Sequence, residues 1–181
     1  MMITFLTLCG CLLVVGASDC KQCPILSAAG TVNDEFSLLG DNILYVHHRF
    51  GPEMVAEKCW STSFFVSDYN LLDDSLHLNW TYYEQDPCNR SEIVKVAAIG
   101  NEAKYYGAFH GKALIHTEIA MTREYVVNYI CNGDDYAVEI LTTNKKRDER
   151  VIKDAIKAAK KVIDLPSPSV NLECDKLIKE E

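Results

Sequence analysis

Short extended segments separated by turn residues fill the middle of this chain, and their spacing restricts the possible fold more than any other feature. In residues 75–83 large apolar or aromatic side chains alternate strictly with other ones, and the first set is Leu76, Leu78, Trp80 and Tyr82. Comparable segments cover residues 43–50, 59–69, 93–99, 104–109, 113–118, 125–131 and 136–144. About eight strands at a spacing of roughly 10–12 residues predict an antiparallel up-and-down barrel or a sandwich.

The periodicity changes to that of a helix after Asn144. Apolar residues recur every three or four positions, at Val151, Ile152, Ala155, Ile156, Ala159, Val162 and Ile163, and lysines occupy the opposite side. Pro166 and Pro168 prevent the helix from continuing. We therefore expect one amphipathic C-terminal helix packed on the β-structure, with its lysine face solvated.

The first 17 residues predict a secretory signal peptide cut after Ala17, because they are apolar, uncharged and end in the small residues Gly16 and Ala17. An N-terminal anchor is the alternative. Residues 18–181 then form one domain. The six cysteines left are Cys20, Cys23, Cys59, Cys88, Cys131 and Cys174. An even number in an exported chain predicts three disulfides and a secreted, extracellular protein.

The charge of the chain and its motifs exclude several classes of partner and site. A formal net charge of −8 and a sequence pI near 5.1 disfavour nucleic acid and anionic membrane as partners.

Asn79 and Asn89 begin sequons, so we expect a glycoprotein. The chain contains no nucleophile elbow, zinc-protease motif, phosphate loop or dinucleotide fingerprint, and we expect no catalytic site. No metal site is expected either, because His47 and His48 are consecutive in a strand and point to opposite faces.

Several segments are similar to those of lipocalins, in the calycin superfamily. Residues 117–131 and 138–145, followed by the predicted helix, resemble strand G, strand H and the helix of bilin-binding and apolipoprotein D-like members. Tyr45-Val46-His47-His48 resembles a strand of the triabin and nitrophorin branch of arthropod salivary lipocalins. Two family features are missing: no tryptophan follows Gly40 in a Gly-x-Trp motif, and no arginine stands near Thr142 or Thr143.

The resemblance implies an eight-stranded calyx with one C-terminal helix. It also implies that Cys59 bonds Cys174 and that Cys131 bonds either Cys20 or Cys23, which leaves the other N-terminal cysteine for Cys88. Three bridges leave no free thiol, so an enzyme of the prostaglandin synthase kind is not expected. Haem or bilin is a possible bound ligand, and no other cofactor is expected.

Strand parity predicts the residues that line the cavity. A glycosylated Asn79 has to face solvent, which turns its neighbours inward and makes His77, on the Asn79 face, a poor haem ligand. Outward-facing Cys59 and Cys131 set the parity of their own strands. The predicted ligand-binding residues are Trp60, Thr62, Phe64, Leu78, Trp80, Tyr82, Val126, Asn128, Ile130 and Glu139. Glu139 would either hold an amine or be solvated near the mouth, and we favour the second.

The sequence therefore predicts a binding protein, monomeric or weakly oligomeric, that sequesters or carries a small hydrophobic, amphipathic or amine ligand in its calyx. The alternative is a triabin-like inhibitor that acts on a host protein through its outer surface.

Overall fold

The computed structural model describes residues 23–40, 42–52, 60–70, 75–84, 90–109, 111–133 and 135–172. Within these ranges the chain contains two helices and nine strands. The elements are α1 (Val32–Leu39), β1 (Leu44–Phe50), β2 (Trp60–Asn70), β3 (Ser75–Glu84), β4 (Arg90–Ala98), β5 (Lys104–Phe109), β6 (Lys112–Met121), β7 (Tyr125–Cys131), β8 (Tyr136–Thr142), α2 (Glu149–Ala159) and β9 (Ser169–Asn171).

The strands form one antiparallel up-and-down sheet in which every strand from β2 to β8 pairs with the next along the chain. This arrangement confirms the predicted mostly-β class with meander connections. At the turn between β7 and β8, Gly133 has a φ of 99°, and the Asn132 N–H donates to the Asp135 carbonyl at 3.1 Å. The predicted hairpin signal therefore lies at a real hairpin.

Two details of the predicted barrel are wrong. The described strands number nine rather than eight, because the chain after Pro168 runs beside β1 as the short strand β9. The pairing of β1 with β2 is confined to Leu44–Thr62 and Tyr45–Ser61, so the sheet is not closed along the whole of this edge.

A β-bulge explains the incomplete closure. The register of β1 against β8 shifts between Val46 and His48, and a bulge bends the strand that contains it. Beyond the bulge, the edge of β1 that β2 would occupy is paired with β9, through His48–Asn171, Arg49–Val170 and Phe50–Ser169. β9 therefore takes the place of β2 along the second half of β1.

Helix α1 is a further departure from the prediction, since the sequence predicted one helix only. Thr31 caps it: the Asp34 N–H donates to the Thr31 hydroxyl oxygen at 3.1 Å, and the Thr31 N–H donates to the Asp34 carboxylate at 2.8 Å. The helix ends at Gly40, whose φ of 55° favours glycine. Val32 and Leu39 are buried and pack against the apolar residues inside the sheet.

Backbone hydrogen bonds hold α1 and the segment before it against β4–β6. The Val32 N–H donates to the Asn101 carbonyl at 3.2 Å, in the turn before β5. The Ala29 N–H donates to the Glu118 carbonyl of β6 at 2.7 Å. One end of the interior is therefore covered by α1.

Helix α2 packs on the outer face of the sheet, as predicted. It begins at Asp148, whose carboxylate accepts from the Arg150 N–H at 2.9 Å. Its apolar face is buried against β7 and its neighbours, with Ile152, Ala155 and Ala159 in one cluster with Val127 and Ile140. The sheet is thus covered on this side by α2. Among the described residues, no helix is both long and apolar enough to cross a membrane.

A disulfide joins Cys23 to Cys131, with their Cα atoms 6.1 Å apart. It ties the segment before α1 to the end of β7, across a sequence separation of 108 residues, and contributes about 4–5 kcal/mol by restricting the unfolded chain. Of the two partners left open for Cys131, the structure has Cys23. Cys20, Cys59, Cys88 and Cys174 lie outside the described residues.

Candidate functional site

The inner face of the sheet and α1 enclose an apolar interior. The buried residues that pack together there come from α1, β1, β4–β8 and the position after β9, and they are Val32, Leu39, Leu44, Val46, Val96, Ala98, Tyr105, Leu114, Val126, Ile130, Ala137, Leu141 and Leu172. On β7 the alternation is clear, because Val126 and Ile130 belong to this interior while Val127 and Tyr129 pack beneath α2. The interior is therefore a separate core from the one under α2.

A band of polar residues crosses this interior. Glu118 on β6 lies opposite Asn128 on β7, Asn128 lies opposite Glu139 on β8, and Glu139 lies opposite Arg49 on β1. Residues directly opposite each other in an antiparallel sheet share a face, so the four residues form a row. All four are buried, and Glu118 and Glu139 are only 2% and 0% exposed. The Cα atoms of Glu118 and Glu139 are about 10 Å apart, because two strand spacings separate them.

A third carboxylate enters the interior from α1. Glu35 is 3% exposed, and its Oε2 accepts a hydrogen bond from the Tyr105 hydroxyl. Tyr105 on β5 lies opposite His116 on β6, and His116 precedes Glu118 by two residues on the same face. Among the described residues, neither Glu35 Oε1 nor Glu118 Oε2 has a hydrogen-bond partner. The interior therefore contains three carboxyl groups, with acceptor capacity left over.

His116 adds no positive charge to this cluster. Its Nδ1 accepts a hydrogen bond of 3.1 Å from the Asn128 side-chain amide, and burial lowers the pKa of the imidazole to about 3. His116 is therefore neutral. Arg49 is the single cationic side chain of the band formed by Glu118, Asn128, Glu139 and Arg49.

Burial makes these carboxyl groups hard to ionise. It raises the pKa of Glu35 to about 7, against the smaller opposing effect of the hydrogen bond from Tyr105. The pKa of Glu118 is raised well above its ordinary value, first by burial and then by the negative charges of Glu35 and Glu139. The pKa of Tyr105 is raised as well, first by burial and then by the negative charge of Glu35. Burial therefore favours the protonated forms of Glu35 and Glu118 when no ligand cation is bound.

This part of the site was only partly predicted. Glu139 was expected to be solvated near the mouth, but it is fully buried, because it follows the inward alternation of Ala137 and Leu141. Glu118 was not identified, although its alternation with Leu114 and His116 in β6 would have placed it inside. Glu35 lies on the helix that the sequence analysis did not predict.

Three of the predicted ligand-binding residues have described side chains on the inner face of β7. Val126 and Ile130 are fully buried in the interior, and Asn128 lies in the polar band. The inward parity of this strand, set by an outward-facing Cys131, agrees with the structure.

The other predicted residues are located by backbone register. Phe64 lies opposite Trp80, and Thr62 lies opposite Tyr82. Leu78 lies opposite Val96, which is buried in the interior. The alternate residues Trp60, Thr62, Phe64, Leu78, Trp80 and Tyr82 therefore belong to the same face of the sheet as Val96. Their roles in binding stay predictions.

The sequon residue Asn79 lies on the other face. It is opposite Phe65 on one side and Lys95 on the other, out of phase with Leu78 and Trp80. Asn89 lies outside the described residues. Use of either sequon stays a prediction.

The consecutive histidines have local hydrogen-bond partners. His47 Nε2 is 2.9 Å from the Asn144 carbonyl oxygen, and His48 Nε2 is 2.8 Å from the Ser169 hydroxyl. They connect β1 to the segments before α2 and at β9. Where side chains are described, no three His, Cys, Asp or Glu residues are arranged to hold a metal ion.

Comparison with solved structures identifies the fold. The chain is 16% identical to the amine-binding protein of Rhodnius prolixus in its tryptamine complex, with a TM-score of 0.57 over 83% of this chain and 86% of that one. A selenomethionine derivative of a biogenic amine-binding protein gives 15% identity and a TM-score of 0.56 over the same shares. The siderocalin Ex-FABP is 11% identical to this chain, with a TM-score of 0.47 over 71% of this chain and 94% of that one.

The likenesses to the two amine-binding proteins, together with the up-and-down sheet and α2, show a lipocalin fold. No protein-family model matches the sequence, and the comparison with curated proteins gives no match.

Proposed function

We propose that this protein binds a small organic amine inside the sheet, with the ammonium group among Glu118, Glu139 and Glu35. The observation that carries the proposal is the burial of three carboxyl groups in an interior whose polar band contains one cationic side chain. The apolar body of the ligand would lie against Val126, Ile130 and their neighbours. Such a site suits a molecule that is cationic at one end and apolar at the other.

The charges favour a cation over a neutral ligand. Removing a carboxylate from water costs several kcal/mol unless an opposite charge accompanies it. Arg49 carries one positive charge, which is too little to balance Glu35, Glu118 and Glu139 if all are ionised. A protonated amine would supply a second positive charge, so that with Arg49 two of the carboxylates are balanced, and the unpartnered Glu118 Oε2 and Glu35 Oε1 would accept its hydrogen bonds.

The structural neighbours support this proposal, since one is described as an amine-binding protein in complex with tryptamine and another as a biogenic amine-binding protein. We further propose that the ligand lies inside the up-and-down sheet, against the inner face of β1–β8. The face of β2 and β3 that contains Trp60, Phe64 and Trp80 would supply aromatic surface for the ligand's apolar body. The proposal includes no catalytic step.

Secretion is part of the proposal. The Cys23–Cys131 disulfide supports an oxidising compartment, where such bonds persist. In that setting the signal peptide would be removed after Ala17, Asn79 and Asn89 would be glycosylated, and Cys59 would bond Cys174. A host protein as an additional partner has no support among the described contacts.

Isothermal titration with tryptamine and with 3-ethylindole tests the amine proposal, because the two ligands share the indole body and differ in the ammonium group. We expect tryptamine to bind at least tenfold more tightly. The variants Glu118→Gln and Glu139→Gln should each weaken tryptamine and leave 3-ethylindole nearly unchanged.

Glu124→Gln is the control, because it removes a carboxylate whose side chain is 57% exposed on the outer surface. Equal affinity for the two ligands, or equal losses in all three variants, would refute the amine site. Tight binding of 3-ethylindole alone would preserve a ligand-binding calyx without a cation preference.

A further inference from the structure

Positive charge is concentrated in one segment of this acidic chain. Residues 145–161 contain eight basic and three acidic residues, whereas the whole sequence has 18 basic and 26 acidic ones. The remainder therefore has ten basic and 23 acidic residues. The segment includes α2 and the residues on either side of it. One helix on the outer face of the sheet thus differs in sign from the rest of the protein.

The helix arranges much of this charge in a line. Lys153, Lys157, Lys160 and Lys161, which we call the lysine stripe, follow one another at helical spacing and are all exposed. The opposite side of α2 is buried against β7. From Lys153 to Lys161 the stripe is about 12 Å long at the helical rise.

The acidic groups nearby are used by other cations. Arg150 contacts Glu124 at 2.7 Å, and it also lies near Asp148 and Asp154. Glu149 pairs with Arg147 at 2.5 Å, while Lys153 exerts a weaker attraction on it. Within the described ranges, none of the ion pairs includes Lys157, Lys160 or Lys161. The C-terminal half of the stripe therefore has its full charge available to a partner.

The helix dipole accounts for only part of this pattern. Cations are favourable near a helix C-terminus, but the effect falls off within the last turn. Lys157 lies in that turn, whereas Lys153 lies in the first half of α2. Side-by-side cations also repel each other along the stripe. We propose that the lysine stripe binds a linear sulfated polysaccharide.

The shape and surroundings of the stripe favour that partner over other polyanions. A single narrow chain can follow the stripe, whereas a bilayer surface or a duplex would also meet the acidic remainder of the protein. The apolar side of α2 is packed on the sheet and cannot enter a membrane. No aromatic residue of α2 is available for stacking on bases.

The choice of lysine agrees with the same partner. Arginine binds phosphate through paired hydrogen bonds, whereas lysine acts as a point charge. All four stripe residues are lysines, and the neighbouring Arg150 is already engaged by Glu124. Recognition through point charges along a line suits a sulfated polysaccharide, in which charge recurs along a single chain.

Heparin is a suitable probe, with titration of the full-length protein at several salt concentrations. The variant Lys157→Gln/Lys160→Gln should lose on the order of tenfold in affinity, and its salt slope should fall by roughly one unit per lysine. Lys104→Gln/Lys112→Gln changes the net charge equally, on β5 and β6 instead of on α2, and should bind nearly as well as wild type.

Two further measurements make the result specific. Lys157→Arg/Lys160→Arg should retain affinity, and tryptamine binding should be the same in every variant. Equal losses in the two glutamine variants would overturn the proposal, because they would show a general charge effect. Binding of duplex DNA or of phosphatidylserine vesicles at least as tight as that of heparin would also overturn it.

Discussion

Glu118 and Glu139 lie on either side of Asn128, each directly opposite it in the register of three adjacent strands, and both are closed off from solvent. An asparagine between two carboxyl groups cannot neutralise either of them. The electrostatic consequence is visible at Glu118, whose pKa is raised in part by the charge on Glu139. A core designed only for stability would place apolar residues here, and we therefore interpret the arrangement as a binding site.

The first prediction concerns Glu35 and the pH dependence of stability. Its folded-state pKa of about 7 lies above the ordinary value of 4.5, so the stabilisation it provides is complete below pH 4.5 and is lost as the pH rises to 7. Glu35→Gln should therefore gain stability relative to wild type across this interval, by on the order of 3 kcal/mol. Urea denaturation of the ligand-free protein at pH 4.5 and pH 8 measures the difference.

Glu124→Gln serves as the control, measured at the same two pH values, because it removes a carboxylate on the exposed outer surface rather than in the interior. A Glu35→Gln variant that behaves in the same way would mean that Glu35 is ionised in the folded protein at neutral pH.

The second prediction concerns the disulfides. Cys23→Ser/Cys131→Ser should lower the free energy of unfolding by about 4–5 kcal/mol, because the bond closes a long loop of the unfolded chain. Peptide mapping without reduction should recover Cys23 linked to Cys131 in the wild type. The same map tests the expectation that Cys59 bonds Cys174, and a free thiol at either of those two residues would rule that bond out.

The sequence predicted strands β5–β8 well, and it predicted the β7–β8 hairpin because Asn132-Gly133 marks its turn. It also predicted α2, whose apolar face is long and regular. The inward parity of β7 followed from one assumption about Cys131, and that assumption agrees with the structure.

The parts that escaped prediction depend on local geometry. Helix α1 is eight residues long, which gives little periodicity, and its capping box has Asp34 where glutamate or glutamine is usual. The bulge at His47 changes the phase of β1, so Arg49 lies opposite Glu139. Strict alternation cannot foresee a bulge. Two of the charged groups in the interior, Glu35 and Arg49, were missed for these reasons.

The third prediction concerns protons and ligand together. If an amine binds among carboxyl groups whose pKa values are raised by burial, its binding should favour their ionised forms and release protons to the solvent. Affinity for tryptamine should then rise with pH from 5 to 8, by up to roughly tenfold per pH unit for each proton released. Titration calorimetry in buffers of different ionisation enthalpy counts the protons directly.

Glu118→Gln should release fewer protons than wild type, and Glu124→Gln should release as many. An affinity independent of pH, with no proton released, would contradict the location of the ammonium group among these residues.

The last prediction distinguishes a ligand in the interior from an inhibitor that acts through its outer surface. Val126→Trp places a larger side chain at a fully buried position on the inner face of β7, where it should occupy ligand space and weaken tryptamine binding at least tenfold. Overpacking should also destabilise the fold by about 1–3 kcal/mol. Val127→Trp is the matched control, because Val127 is equally buried but faces α2. It should lose comparable stability and keep its affinity.

Inhibition of a candidate host target such as thrombin is measured in parallel. If Val126→Trp binds tryptamine as wild type does and wild type inhibits the target, the interior site is wrong and the inhibitor hypothesis replaces it.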